Sequence, residues 1–245
     1  MTIKRIFSIE FIKTLRQGNY ILFSLILLVY TAIFFITLYY SHVNQVPMKS
    51  MIDRLFSVDE SFGGLFLVIF IIMNIGKEYS DSTIAKNIID GYTRDWFYTG
   101  KLLLLLASTL FMFIIGKIFL LIGEISLGHW SELLSYLTPP ILINSFLGLL
   151  SKAIWGFFLV FLTKNIAISI IVFYIWSVIE NIISFVGHLD SVNIPFENYL
   201  PLSSMHTALH ASEIQQISSI IIAVFYLFLM LFVPYYLLLK RDITN

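Results

Sequence analysis

Long apolar runs separated by short polar stretches set the pattern of this chain. The runs cover 20–40, 61–76, 102–122, 140–161, 166–186 and 217–239. An α-helix rises 1.5 Å per residue, so about 20 apolar residues cross the roughly 30 Å hydrocarbon core of a bilayer. Each run therefore predicts a membrane-spanning helix, six in all, of which the second is short for the task.

Two of the polar stretches carry a helical period of their own. In 1–19, Ile3, Ile6, Phe7, Phe11 and Leu15 can share one face, with Lys4, Lys13 and Arg16 elsewhere. This predicts a helix lying in the membrane interface with its basic residues near anionic headgroups. In the polar insert 76–101, Ile84, Ile88, Tyr92 and Trp96 recur every four residues, with Ala85 and Ile89 beside them. That spacing predicts a short amphipathic helix suited to docking a cytosolic partner. Asp81 and Ser82 are expected to start it, because their side-chain oxygens can accept the free N–H groups of a first turn. Gly91 is expected to interrupt it. The loop 187–216 mixes apolar residues with Pro195 and Pro201 and is expected to hold a short re-entrant or interfacial helix.

Composition fixes the class. Of 245 residues, 58% are hydrophobic and only 12% charged. An ordinary soluble domain needs far more polar surface, so the chain reads as an all-α polytopic membrane protein, one transmembrane domain over 1–245. The first apolar run is too long for a cleavable leader. Charge then sets orientation. Lys4, Arg5, Lys13, Arg16, the four basic residues of the insert (Lys77, Lys86, Arg94, Lys101), Lys164, Lys240 and Arg241 fall on one side of the predicted spans. Only Lys49 and Arg54 fall in loops on the other. The basic side faces the cytoplasm, so both termini are expected there, in the plasma membrane. A net charge of zero and the lack of a basic tract give no sign of a nucleic-acid partner. With no cysteine, disulfides and thiolate chemistry are excluded.

Catalytic patterns are missing. Gly100-Lys101-Leu102 superficially resembles the end of a phosphate loop, but it lacks the Ser or Thr that would hold magnesium and the upstream glycine spacing. No GxSxG elbow and no HExxH pair occurs. His206 and His210 sit four apart and could share a helical face, but catalytic sites usually need three protein ligands and no third is clear, so no metal residue is assigned. Lys117, Glu124, Lys152 and Glu180 fall in or near spans, where ionisable groups pair or line a path. Lys117 and Glu124 can reach the outer boundary. Lys152 and Glu180 lie near the midplane, either as an ion pair or as groups lining a substrate path or proton relay. Asn144 and Asn181 can add hydrogen bonds between helices. Tyr and Trp near the span ends read as interfacial anchors.

Four features together resemble the permease subunits of type-2 ATP-binding-cassette exporters. They are the amphipathic 1–19 segment before span one, and Gly76-Lys77-Glu78-Tyr79 followed by Asp81-Ser82-Thr83-Ile84. The others are Gly91-Tyr92-Thr93-Arg94-Asp95-Trp96-Phe97 with Gly100-Lys101-Leu102, and the closing Leu239-Lys240-Arg241-Asp242-Ile243. Ser82 stands where glycine is commoner in that family. The resemblance implies no ATPase activity and no cofactor on this chain, with ATP and magnesium held by separate cytosolic ATPase subunits. It implies a dimer with a second permease copy or paralogue, whose spans one, two and five line the interface and the path. The 77–101 segment becomes the coupling helix, with Glu78, Asp81, Ile84, Ile88, Tyr92 and Arg94 as its coupling residues. The cargo expected is an amphipathic peptide, antibiotic or lipid-like molecule. Two rivals stand beside this reading: an ion-coupled secondary transporter, with Lys152 and Glu180 as its foothold, and an intramembrane enzyme, for which clustered catalytic groups are lacking.

Overall fold

The computed structural model describes residues 3–16, 19–43, 62–81, 93–126, 139–187, 199–200 and 217–240. Among them are seven helices: α1 (Ile3–Arg16), α2 (Asn19–Val43), α3 (Gly64–Ser80), α4 (Arg94–Ser126), α5 (Pro139–Thr163), α6 (Ile166–Gly187) and α7 (Ile217–Lys240). Four of these contain stretches long and apolar enough to cross a membrane: Arg94–Ile122, Ser145–Thr163, Ile166–Ile183 and Ile221–Lys240. Leu27–Thr37 in α2 is a shorter apolar stretch.

The most buried of the long apolar helices is α5, and α3, α4, α6 and α7 all pack on it. Its inner face carries Ala153, Phe157, Val160 and Phe161, all fully or almost fully buried. Gly156 permits the closest approach, because a Cβ there would sit 2.8 Å from Val68 Cγ1 and 3.4 Å from the Val68 carbonyl oxygen of α3. Small residues let helix backbones meet in this way when water supplies no driving force. Aromatic rings pack alongside: Phe157 and Phe161 lie 4.7 Å apart, and Tyr98 of α4 packs edge-on to both.

The α5–α6 connection is a tight reversal. Lys164 takes a positive φ of 54° and donates its N–H to the Val160 carbonyl at 2.9 Å. Asn165 then caps α6, its Oδ1 accepting the Ile168 N–H at 3.1 Å. A short polar side chain at that position is the usual device for opening a helix.

Two predicted boundaries move. The second apolar run ends at Gly76, yet α3 continues to Ser80; the third begins at Leu102, yet α4 begins at Arg94. The 76–101 insert is therefore largely helical at both ends, as continuations of α3 and α4. The physical reason is that Glu78 and Lys101 are neutralised inside the fold, so neither helix has to stop where its hydrophobicity does. Asp81 closes α3, donating its N–H to the Lys77 carbonyl at 2.9 Å, and does not open a new helix. The residue that opens α4 is Thr93, whose Oγ1 accepts the Trp96 N–H at 3.4 Å. Trp96 thus belongs to the first turn of α4, and the four-residue period from Ile84 does not run through one uninterrupted helix. Ser82, Ile84, Ile88, Gly91 and Tyr92 lie outside the described residues, as do His206, His210, the side chains of Glu124 and Asn144, and most of 187–216.

Candidate functional site: two polar locks around the 82–92 segment

Helix α1 is amphipathic, but its faces are not the ones the apolar spacing predicts. Ile6, Glu10 and Thr14 are buried, while Phe7 and Phe11 are exposed with their rings stacked 6.2 Å apart. Ile6 and Phe7 therefore do not share a face. The orientation is chosen by a carboxylate that needs a partner, not by the largest apolar residues. Gly100 of α4 makes room for that face, since a Cβ there would meet Glu10 Cγ at 3.0 Å and Ile6 Cγ2 at 3.1 Å.

The first lock forms where α1 meets the end of α3 and the start of α4. Lys101 Nζ contacts Glu10 Oε2 at 2.5 Å and Glu78 Oε1 at 2.8 Å. All three side chains are 1% exposed. Lys13 sits at the rim, 3.5 Å from Glu10 Oε1 and 3.8 Å from Glu78 Oε1. Two carboxylates thus face two ammonium groups and the cluster is formally neutral. A neutral cluster is what burial requires, because an isolated ion inside a protein costs several kcal/mol. Beside it Asn74 of α3 donates to Thr14 Oγ1 at 3.1 Å, and Thr14 donates to the Glu10 carbonyl at 2.9 Å. Lys13, expected near headgroups, leans into this cluster instead.

The second lock joins the start of α4 to the end of α7. Arg94 Nη1 donates to the Leu238 carbonyl at 3.1 Å and also to that of Leu239. Helix C-termini leave carbonyls without intrahelical donors, and a guanidinium satisfies them while complementing the negative end of the dipole. Asp95 Oδ1 accepts the Tyr235 hydroxyl at 2.9 Å, and the Tyr98 hydroxyl donates to the Leu231 carbonyl at 2.5 Å. Pro234 lies inside α7 beside these contacts. Proline has no N–H, so Pro234 leaves the Met230 carbonyl without its helix donor, one residue before the Leu231 carbonyl that Tyr98 engages.

The expected coupling residues are placed unevenly. Glu78 is buried in the first lock, Arg94 is engaged in the second, and Asp81 is exposed where α3 ends. Glu10 and Lys101 carry the first lock, yet neither was singled out from the pattern as a site. One signal was available: Glu10 is the sole acid among residues 1–19.

Lys152 and Glu180, expected as a pair near the midplane, lie on α5 and α6. Lys152 is partly buried with its aliphatic stem over Gly64, where a Cβ would meet Cδ at 2.6 Å. Glu180 is buried and accepts the indole N–H of Trp176, one turn back on α6. Lys117 is buried, donates to Ser145 Oγ at 2.9 Å and lies 5.4 Å from the Phe113 ring centre. Among the described residues no group of three or more metal-ligating side chains comes together.

The fold defines an all-α protein with several helices suited to a membrane. No protein-family model matches the chain, and no curated protein matches it.

Proposed function

We propose that this chain is the permease subunit of an ATP-binding-cassette exporter. It spans the plasma membrane six times with both termini in the cytoplasm. ATP and magnesium bind on separate cytosolic ATPase subunits, and the permease pairs with a second permease chain in the lipid bilayer. The observation that carries the reading is how the two ends of segment 82–92 are wired. On one side α3 ends at Ser80, two residues after Glu78 of the first lock, with Asp81 as its cap. On the other, Thr93 opens α4, followed directly by Arg94 of the second lock and then by Lys101 of the first. A push on 82–92 reaches α1, α3, α4 and α7 together. A coupling element needs that: a small area contacted from the cytosol and stiff connections to the bundle.

The sequence resemblance and the charge asymmetry support the same assignment. The cargo that suits an apolar bundle is an amphipathic peptide, antibiotic or lipid-like molecule. The test is co-purification from the native host, followed by ATP hydrolysis measured with and without the co-purified subunit. The expected result is a soluble ATPase that travels with the chain and no hydrolysis by the chain alone. Hydrolysis by the isolated chain, or ATP-independent, proton-driven uptake into vesicles containing it alone, overturns the reading.

A further inference from the structure

Two of the chain's four tryptophans, Trp155 and Trp176, meet where α5 packs on α6, with ring centres 6.1 Å apart. At 1.5 Å per residue, Trp155 lies about 12 Å from the Thr163 end of α5 and Trp176 about 15 Å from the Ile166 start of α6. Both are deep in the apolar runs, where neither water nor acyl chains offer an acceptor. An indole has one N–H to donate and nothing to accept with. The two are served unequally. Trp176 is half-buried and donates its N–H to Glu180, one turn on along α6. Trp155 is 7% exposed, with its ring stacked on Phe158 at 5.3 Å and the planes 9° apart. Its Nε1 is buried and has no hydrogen-bond partner among the described residues. A buried donor left without an acceptor is costly, and native folds leave few of them.

The acceptor that serves one indole is close to the other. Glu180 is 2% exposed, so its carboxylate is enclosed by the bundle and does not face lipid. It is bonded to a ring that touches the Trp155 ring. The helix that carries it is built to move about one end. At the α5–α6 reversal, Thr163 Oγ1 and Ser169 Oγ share a hydrogen bond at 2.6 Å, and Ser169 Oγ donates to the Asn165 carbonyl at 2.7 Å. Beyond this pinned end α6 packs mainly on α5 and α3, and it is the least buried of the four long apolar helices. Glu180 lies about 21 Å along the axis from Ile166, so a small roll of α6 about the reversal moves it sideways along α5. Packed helix interfaces respond to such motion by stepping between discrete arrangements.

We propose that Trp155, Trp176 and Glu180 form a two-position latch between α5 and α6. In the state described, Glu180 accepts the Trp176 N–H; in a second state, reached by a roll of α6 on α5, it accepts the Trp155 N–H. One indole is served and one is left unserved in each state, so the exchange costs no net hydrogen bond and α6 has two seats of similar energy. The latch needs only α5 and α6 packed as they are here, and it stands independently of the permease reading.

The test is NMR of the full-length chain, labelled with ¹⁵N at the indole nitrogens, in lipid nanodiscs. Four tryptophans give four indole N–H resonances, and Trp155→Phe and Trp176→Phe assign the two that matter. A hydrogen-bonded indole proton resonates downfield of one without an acceptor. The expected result is microsecond-to-millisecond exchange at both resonances. In Trp155→Phe, Glu180 has a single seat, so the Trp176 resonance should lose its exchange and stay downfield. In Trp176→Phe, the Trp155 resonance should move downfield, and adding Glu180→Leu should return it upfield. Exchange that persists at Trp176 in Trp155→Phe, or a Trp155 resonance that does not move in Trp176→Phe, overturns the proposal. So does a Trp155 resonance that stays downfield after Glu180→Leu, which would assign its acceptor to water or lipid. Where the variant carrying Glu180→Leu does not fold, the two phenylalanine variants decide alone, since each keeps a ring in place. Co-purification of an ATPase bears on the permease reading and leaves the latch untouched.

Discussion

Glu10 shows how one side chain orients an element. It is buried among apolar residues of α1 because Lys101 is 2.5 Å away, and Lys101 in turn is shared with Glu78. Breaking a buried pair by removing one partner leaves an uncompensated charge, which costs about 3–5 kcal/mol. Lys101→Met should therefore destabilise the protein on that scale, measured by thermal or denaturant unfolding in detergent. Glu10→Gln combined with Lys101→Met should lose less than the sum of the two single changes, because contacting residues are not additive. Additive losses would mean that the two groups do not stabilise each other. Glu10 was legible as the lone acid of a basic segment, but its partner was not. Nothing in local spacing ties residue 10 to residue 101.

At the scale of elements, the grip of α4 on α7 replaces part of what a helix end lacks. Hydrogen bonds to a charged donor contribute about 1.5–3 kcal/mol. Arg94→Ala should release the Leu238 and Leu239 carbonyls and speed hydrogen exchange of backbone amides in 235–240 by roughly tenfold or more, one factor of ten for each 1.4 kcal/mol. Arg94→Lys should recover only part of the protection, since an ammonium is a point charge and cannot span two carbonyls as a planar fork does. Exchange that is unchanged in Arg94→Ala would show that the contact carries no stability. The helices themselves were legible: α5, α6 and α7 begin and end within a few residues of the apolar runs that predicted them. Where boundaries moved, at Ser80 and Arg94, the cause was tertiary, because buried counter-charges let α3 and α4 continue through residues whose polarity suggests an end.

For the whole molecule, the two locks bracket the segment expected to meet a cytosolic ATPase. If that segment docks through Ile84, Ile88 and Tyr92, interface energy should concentrate in those few anchors. Ile88→Asp or Tyr92→Ala should then cost at least about 1–2 kcal/mol of association with the ATPase subunit, read as a pull-down titration. The locks should stay intact, with unchanged thermal unfolding, since neither residue belongs to them. Full ATPase binding and full transport by Ile88→Asp would remove this segment from the coupling pathway.

The division between sequence and structure follows from the range of the forces involved. Apolar periodicity is local, because a run of about 20 apolar residues must be a helix that hides its backbone polar groups wherever it lies. The limits of α5, α6 and α7 were therefore present, within a few residues, in the order of residues. Pairing between distant charges is not local. Which face of α1 turns inward, why Glu78 and Lys101 are buried, and what Arg94 holds are settled by residues 23 to 145 positions away meeting in space. The same holds for Asn181: the sequence marks it as a polar residue in a span, and only the packing of α6 on α3 and α5 decides that it faces outward. Desolvation makes each buried charge costly alone, so the fold that supplies its partner is the one selected.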